Sequence, residues 1–136
     1  MMIILVSGMM IVVMKYASIS AKRVGDTYIR EQAQLYLDSV VERTLLAISD
    51  QNRSNTGCLS SFDHNISKRG TQYSAHVDIT RYYLLAGSPD IAYCGALSAP
   101  IESEETHGMA ILHVEVNATI DNELRVRILK RTLQRP

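Results

Sequence analysis

From Met1 to Met14 the chain reads MMIILVSGMMIVVM, apolar apart from Ser7 and Gly8. As a helix that run is about 21 Å long, short of a bilayer core of roughly 30 Å. Continuing past Lys15, whose aliphatic stem can lie along apolar surface, to Ala21 brings it to about 31 Å, enough to span. A cleaved signal peptide starts with basic residues, and none precedes this run. A buried core helix would need more surrounding chain than is on hand. Residues 1–21 are therefore expected to span a membrane, with Ile3, Ile4, Leu5, Val6, Ile11, Val12 and Val13 facing lipid or neighbouring helices.

The pattern then changes without a break. Between Asp26 and Asp50 apolar positions recur in steps of three and four, at Ile29, Ala33, Tyr36, Leu37, Val40, Thr44, Leu45 and Ile48. This is the period of an amphipathic helix. Arg30, Glu31, Asp38, Glu42 and Arg43 fill the other side, so these carboxylates read as a solvated face rather than as catalytic acids. No proline occurs before Pro89, and Gly25 is the one weak point at the join. The polar run from Asp50 to Gly57 stops the helix. Residues 22–50 thus form the one-sided half of a helix of nearly fifty residues, expected to seat a head through Ile29, Ala33, Tyr36, Leu37, Val40, Leu45 and Ile48.

Residues 51–136 are expected to be that head, and they are rich in strand patterns. Tyr73 to Leu85 alternates, placing Tyr73, Ala75, Val77, Ile79, Tyr83 and Leu85 on one side. His76, Asp78, Thr80 and Tyr82 fall on the other. Met109 to Ile120 alternates similarly, with Leu112, Val114, Val116, Ala118 and Ile120 inward. Asp121-Asn122-Glu123 turns the chain, and Leu124, Val126 and Ile128 resume the apolar face as a β-hairpin. Ala86 to His107 carries Gly87, Pro89, Gly95 and Pro100 and is read as loop. The expected fold class is α+β: a long N-terminal helix packed against a small antiparallel sheet of three or four strands.

Composition refines this picture at a few points. Fourteen Lys and Arg balance fourteen Asp and Glu, so charge gives no reason to expect nucleic acid as the main partner. The only cysteines are Cys58 and Cys94, too few for a structural zinc site. Beside an apolar N-terminal segment they are expected to form a disulfide in an exported head. Closing a loop of about 37 residues stabilises by about 4 kcal/mol in the chain-entropy treatment. The bases nearest the span are Lys15, Lys22 and Arg23, on its C-terminal side. Taken alone, they would place the head in the cytoplasm; a start upstream of Met1, with a basic leader, reconciles charge with export. The chain has no HExxH, P-loop, GxGxxG or GxSxG. His76 and His113 fall on polar strand faces and are expected to be solvated. No catalytic group, cofactor or metal site is therefore expected.

A long N-terminal helix, a cysteine-bearing loop, an antiparallel sheet and a second cysteine together resemble the type IV pilin superfamily, including minor pilins and type II secretion pseudopilins. The segment from Asp26 to Leu35, DTYIREQAQL, followed by Val41 to Ile48, VERTLLAI, is similar to the helix of bacterial prepilin-type proteins. The ending RTLQRP, Arg131 to Pro136, is similar to their tails. Family members begin with a basic leader, a cleavage glycine, an aromatic residue and, four positions later, a glutamate. Here no acid precedes Asp26, so no processing site is carried over. The resemblance implies a subunit anchored in the bacterial inner membrane, its head in the periplasm or on a surface filament, its partners other pilin-like subunits. The alternative is a single-pass extracytoplasmic binding or sensor domain that never polymerises. Glu102, Glu104 and Glu105 form an acidic cluster where some pseudopilins hold calcium; it is expected to be a solvated loop.

Overall fold

A computed structural model describes residues 2–103, 105 and 108–136, with side chains from residue 4 onward. The fold is α+β: one long helix, α1 (Met2–Asp50), and a five-stranded sheet. Helix α1 runs 49 residues and passes through Gly25 without a break. The sheet comprises β1 (Ser61–Lys68), β2 (Thr71–Leu85), β3 (Ser98–Ile101), β4 (Gly108–Ile120) and β5 (Glu123–Gln134). Its order is β1-β2-β4-β5 with antiparallel neighbours, and β3 adds to β2 in parallel beyond the end of β1. Two tight hairpins set the register. Arg69 and Gly70 join β1 to β2, and Asp121 and Asn122 join β4 to β5, each pair with positive φ at both residues. That backbone twist matches the twist of the flanking strands.

The head has two layers. The C-terminal half of α1 lies across β2, β4 and β5. Ala33, Leu37, Val40 and Ile48 are buried there against Ala75, Val77, Leu112, Val114 and Val116. Thr44 is buried among them, and its hydroxyl donates to the Val40 carbonyl at 2.8 Å, so that hydroxyl is satisfied within the helix.

The strand beginning near Tyr73 departs from simple alternation. Ile79 pairs with Leu112 and Arg81 with Ile111, leaving Thr80 as an extra residue, a β-bulge. One inserted residue reverses which side chains face the core. Tyr82 and Leu84 are consequently buried, and Tyr83 and Leu85, expected inward, lie toward the outer surface. Tyr82 is satisfied in its buried position: its hydroxyl donates to the Leu59 carbonyl at 2.7 Å, and burial pushes its pKa up to about 12. A second bulge, at Arg125, sets Leu124 opposite Thr119 and turns it outward, so the apolar face of β5 resumes only at Val126 and Ile128.

The region read as loop also holds structure. After β2 come α3 (Asp90–Cys94), a single 3-10 turn (Gly95–Leu97) and β3. The short helix α2 (Arg53–Thr56) follows α1 and ends at Gly57, whose φ of 74° suits glycine. Two links hold α3 against this junction. Arg53 and Asp90 form an ion pair, and Cys58 and Cys94 form a disulfide with Cα atoms 4.9 Å apart.

Two outcomes test this architecture on the full chain in detergent. Replacing both cysteines, Cys58→Ser with Cys94→Ser, is expected to lower unfolding free energy by about 4 kcal/mol in denaturant titrations. Leu37→Ala should cost about 2–5 kcal/mol through the cavity it leaves, whereas Leu35→Ala, on the solvent side of the same helix, should stay within about 0.5 kcal/mol of wild type.

Candidate assembly helix and head surface

Among the described residues, the first half of α1 from Ile4 onward is not buried against any other part of the chain. Ile4, Leu5, Val6, Ile11, Val12 and Val13 are all exposed, as are Met9, Met10, Met14, Tyr16 and Ile19. The side chain of Ile3 lies outside the described set. A helix apolar on every side has no stable home in water. By length and composition this segment can cross a membrane. Ser7 does not interrupt the apolar surface, because its hydroxyl donates to the Ile4 carbonyl at 3.0 Å.

In the second half, the residues expected to seat the head divide by depth. Ala33, Leu37, Val40 and Ile48 are buried, and Ile29, Tyr36 and Leu45 pack at the margin of the core. Val41, missing from the periodic count, is buried as well. Tyr36 does more than fill space. Its hydroxyl donates to the His64 carbonyl at 2.8 Å and lies 2.7 Å from His64 Nδ1, while Arg43 reaches His64 Nε2 at 2.9 Å. Arginine can only donate, so Nε2 accepts and Nδ1 carries the proton it shares with the tyrosine oxygen. The result is a closed set of hydrogen bonds locking α1 to β1. Sequence reasoning missed His64 because the strand carrying it, SFDHNISK, is mostly polar.

The sheet's outer face carries two contrasting areas. Near β1, His76 is flanked by two carboxylates: Nδ1 lies 2.5 Å from Asp63 Oδ1, and Nε2 lies 3.1 Å from Asp78 Oδ1. A neutral imidazole has one N–H and cannot donate to both, so this arrangement favours the imidazolium. The hydrogen bond to Asp63 is the main cause of a raised His76 pKa, aided by the charge of Asp78. His113 sits opposite Asp78 and diagonal to His76, which is opposite Glu115. Among the described residues no group of three or more His, Cys, Asp or Glu is arranged to hold a metal ion. Of the acidic cluster, Glu102 and Glu105 are exposed, and Glu104, like His107, lies outside the described residues.

The second area is apolar and borders β5. Tyr83, Ile101, Met109, Ile111, Thr132 and Leu133 line an open groove of about 530 Å³ with Arg131 at its rim. Along β5 the outward positions alternate as Arg127, Leu129, Arg131 and Leu133, all exposed. Arg127 pairs with Glu115 across the strands at 3.1 Å. The hydrogen bond from Asn117, and then Arg127, hold the Glu115 carboxyl below its usual range. No family model matches the chain, and no curated protein or solved structure matches it significantly.

The His76 arrangement has a pH consequence of definite sign. A histidine whose pKa is raised in the folded state adds stability that is complete below about 6.5 and lost as pH rises through the raised native value. NMR titration should put the His76 midpoint above 6.5, and Asp63→Asn should bring it back toward 6.5. A wild-type midpoint at or below that value would contradict the geometry.

Proposed function

We propose that the chain is a structural subunit of a pilin-like filament, a minor pilin or pseudopilin, anchored in the bacterial inner membrane before assembly and carrying its head outside the cytoplasm. The observation that carries this reading is the division of labour along α1. One unbroken helix presents about 30 Å of apolar surface that is exposed among the described residues, then becomes one-sided and seats a disulfide-closed sheet. Such a helix serves two successive environments, lipid before assembly and other subunits' helices after it. The disulfide supports an oxidising compartment for the head, and the layout matches the pilin resemblance of the DTYIREQAQL and VERTLLAI segments.

Two measurements test the proposal. Val12→Asp places a charge at the middle of the span, at a cost of about 2.5–3.5 kcal/mol on insertion scales, and should shift the protein out of the carbonate-resistant membrane fraction. Shearing cells and probing the released fibres should recover the wild-type chain in high-molecular-weight material. Recovery only as membrane-bound monomer would favour the single-pass binding or sensor domain.

A further inference from the structure

On α1, the residues exposed away from the sheet are not scattered. Val24, Tyr28, Leu35 and Leu46 are large, apolar and exposed. At 3.6 residues per turn they fall within about 40° of one another. Glu31 and Glu42, also exposed, lie on the same stripe. Its centre is about 165° around the helix from that of Ala33, Leu37, Val40 and Thr44, the line that faces the sheet. Val6, Met10 and Val13 continue the stripe into the apolar half. From Glu31 the exposed order is Glu31, Leu35, Glu42, Leu46, over about 22 Å.

The outward side of β5 repeats that order with the opposite charge: Arg127, Leu129, Arg131, Leu133, over about 20 Å. The four leucines are exposed by 64% at Leu35, 69% at Leu46, 67% at Leu129 and 53% at Leu133. Arg127 already holds Glu115, but a guanidinium has five N–H groups and can take a second carboxylate. The helix and the sheet form two packed layers, so these surfaces point to opposite sides of the head and cannot meet within one chain.

We propose that the Glu31–Leu35–Glu42–Leu46 stripe of one copy docks on the Arg127–Leu129–Arg131–Leu133 face of a second copy. This interface rests on the filament reading and deepens it by naming the surfaces that join heads. Because the two surfaces differ and lie on opposite sides, each copy can engage two others. Such heterologous association propagates into an open assembly unless its rotation happens to close a ring. The alternating charges fix register and orientation, and the leucines supply the buried area.

The test uses the full chain in native membranes. Leu35→Cys combined with Leu129→Cys, mildly oxidised, should give a reducible ladder of dimers and higher species on a non-reducing gel. A mixture of the two single variants should stop at the dimer. Leu35→Cys paired with Asn65→Cys on β1 should stay monomeric. Glu42→Arg in that double-cysteine background should reduce cross-linking by about tenfold by placing like charges together, as should Arg131→Glu. Combining the two reversals should restore the ladder. If an amine-reactive reagent links wild-type copies into multimers while the cysteine pair stays monomeric, this interface is wrong and the filament reading stands. If wild type stays monomeric with the amine-reactive reagent and the cysteine pair stays monomeric on oxidation, both readings fail.

Discussion

The head depends on the one-sided burial of residues 29–48 of α1 against the inner face of the sheet. Strands β2 and β4 present Ala75, Val77, Leu112, Val114 and Val116 on a single side, and water would reach that side if the helix were withdrawn. A small antiparallel sheet with one open apolar face gains too little by burial to offset the entropy of ordering it. The helix has the reciprocal need, since its Ala33, Leu37, Val40 and Ile48 line has no other cover. Small residues recur in this core, with Ala33 on the helix and Ala75, Ala110 and Ala118 on the sheet all buried. Further links join the elements around this contact: the Tyr36–His64–Arg43 set ties α1 to β1, and the Cys58–Cys94 bond ties the end of the helix region to α3.

How far the fold could be read from sequence follows from how strongly each segment commits to one period. Helix α1 carries an apolar run and then a clean three-and-four spacing, and both its extent and the strongest of its sheet-facing positions follow from that. Strand β4 alternates over its whole length and has no competing signal. Strand β1 has Phe62, His64, Ile66 and Lys68 on its inward side, and Ile66 and Lys68 remain exposed, so its identity comes from pairing with β2 rather than from its own pattern. The bulges at Thr80 and Arg125 are invisible to periodicity, because one inserted residue leaves each half of the strand alternating correctly while changing the phase between them. Tyr82 shows the consequence: it counted as outward, yet it is the largest fully buried side chain. The α3 segment, DIAYC, is too short to display a helical period, and its position is set by Arg53 and Cys58 from elsewhere in the chain.

The candidate surfaces divide along the same line. The assembly helix is legible because it is a property of consecutive residues. The outer face of β5 is not, since the exposure of Leu129 and Leu133 depends on register with Glu115 and Ile111, 14 and 22 positions earlier. Nor is the ring of partners around His76, which two strand pairings bring together. Composition hides these features further. The chain is neutral overall, yet Glu31 and Glu42 lie on the outer stripe of α1 while Arg127 and Arg131 lie on the outward side of β5. A net charge of zero therefore does not exclude local surfaces of opposite sign.

That separation of charge bears on why the helix is continuous. With no proline before Pro89 and an unbroken passage through Gly25, movement of the apolar half is transmitted to the head as a rigid lever rather than absorbed in a hinge. In the proposed filament, a subunit that leaves lipid for a bundle must bring its head to its neighbours in one orientation. A flexible joint would let the heads sample many, and would place an entropic cost on every contact between them. With the stripe continuing from Val13 to Leu46 on one side of the same rod, packing of the apolar halves in the proposed filament would also present the leucine-bearing surface of Glu31 and Glu42 to the next head. In that proposal the anchor is the first half of one helix, the seat and the docking surface are opposite sides of its second half, and the sheet supplies the complementary surface on the side that the helix cannot reach.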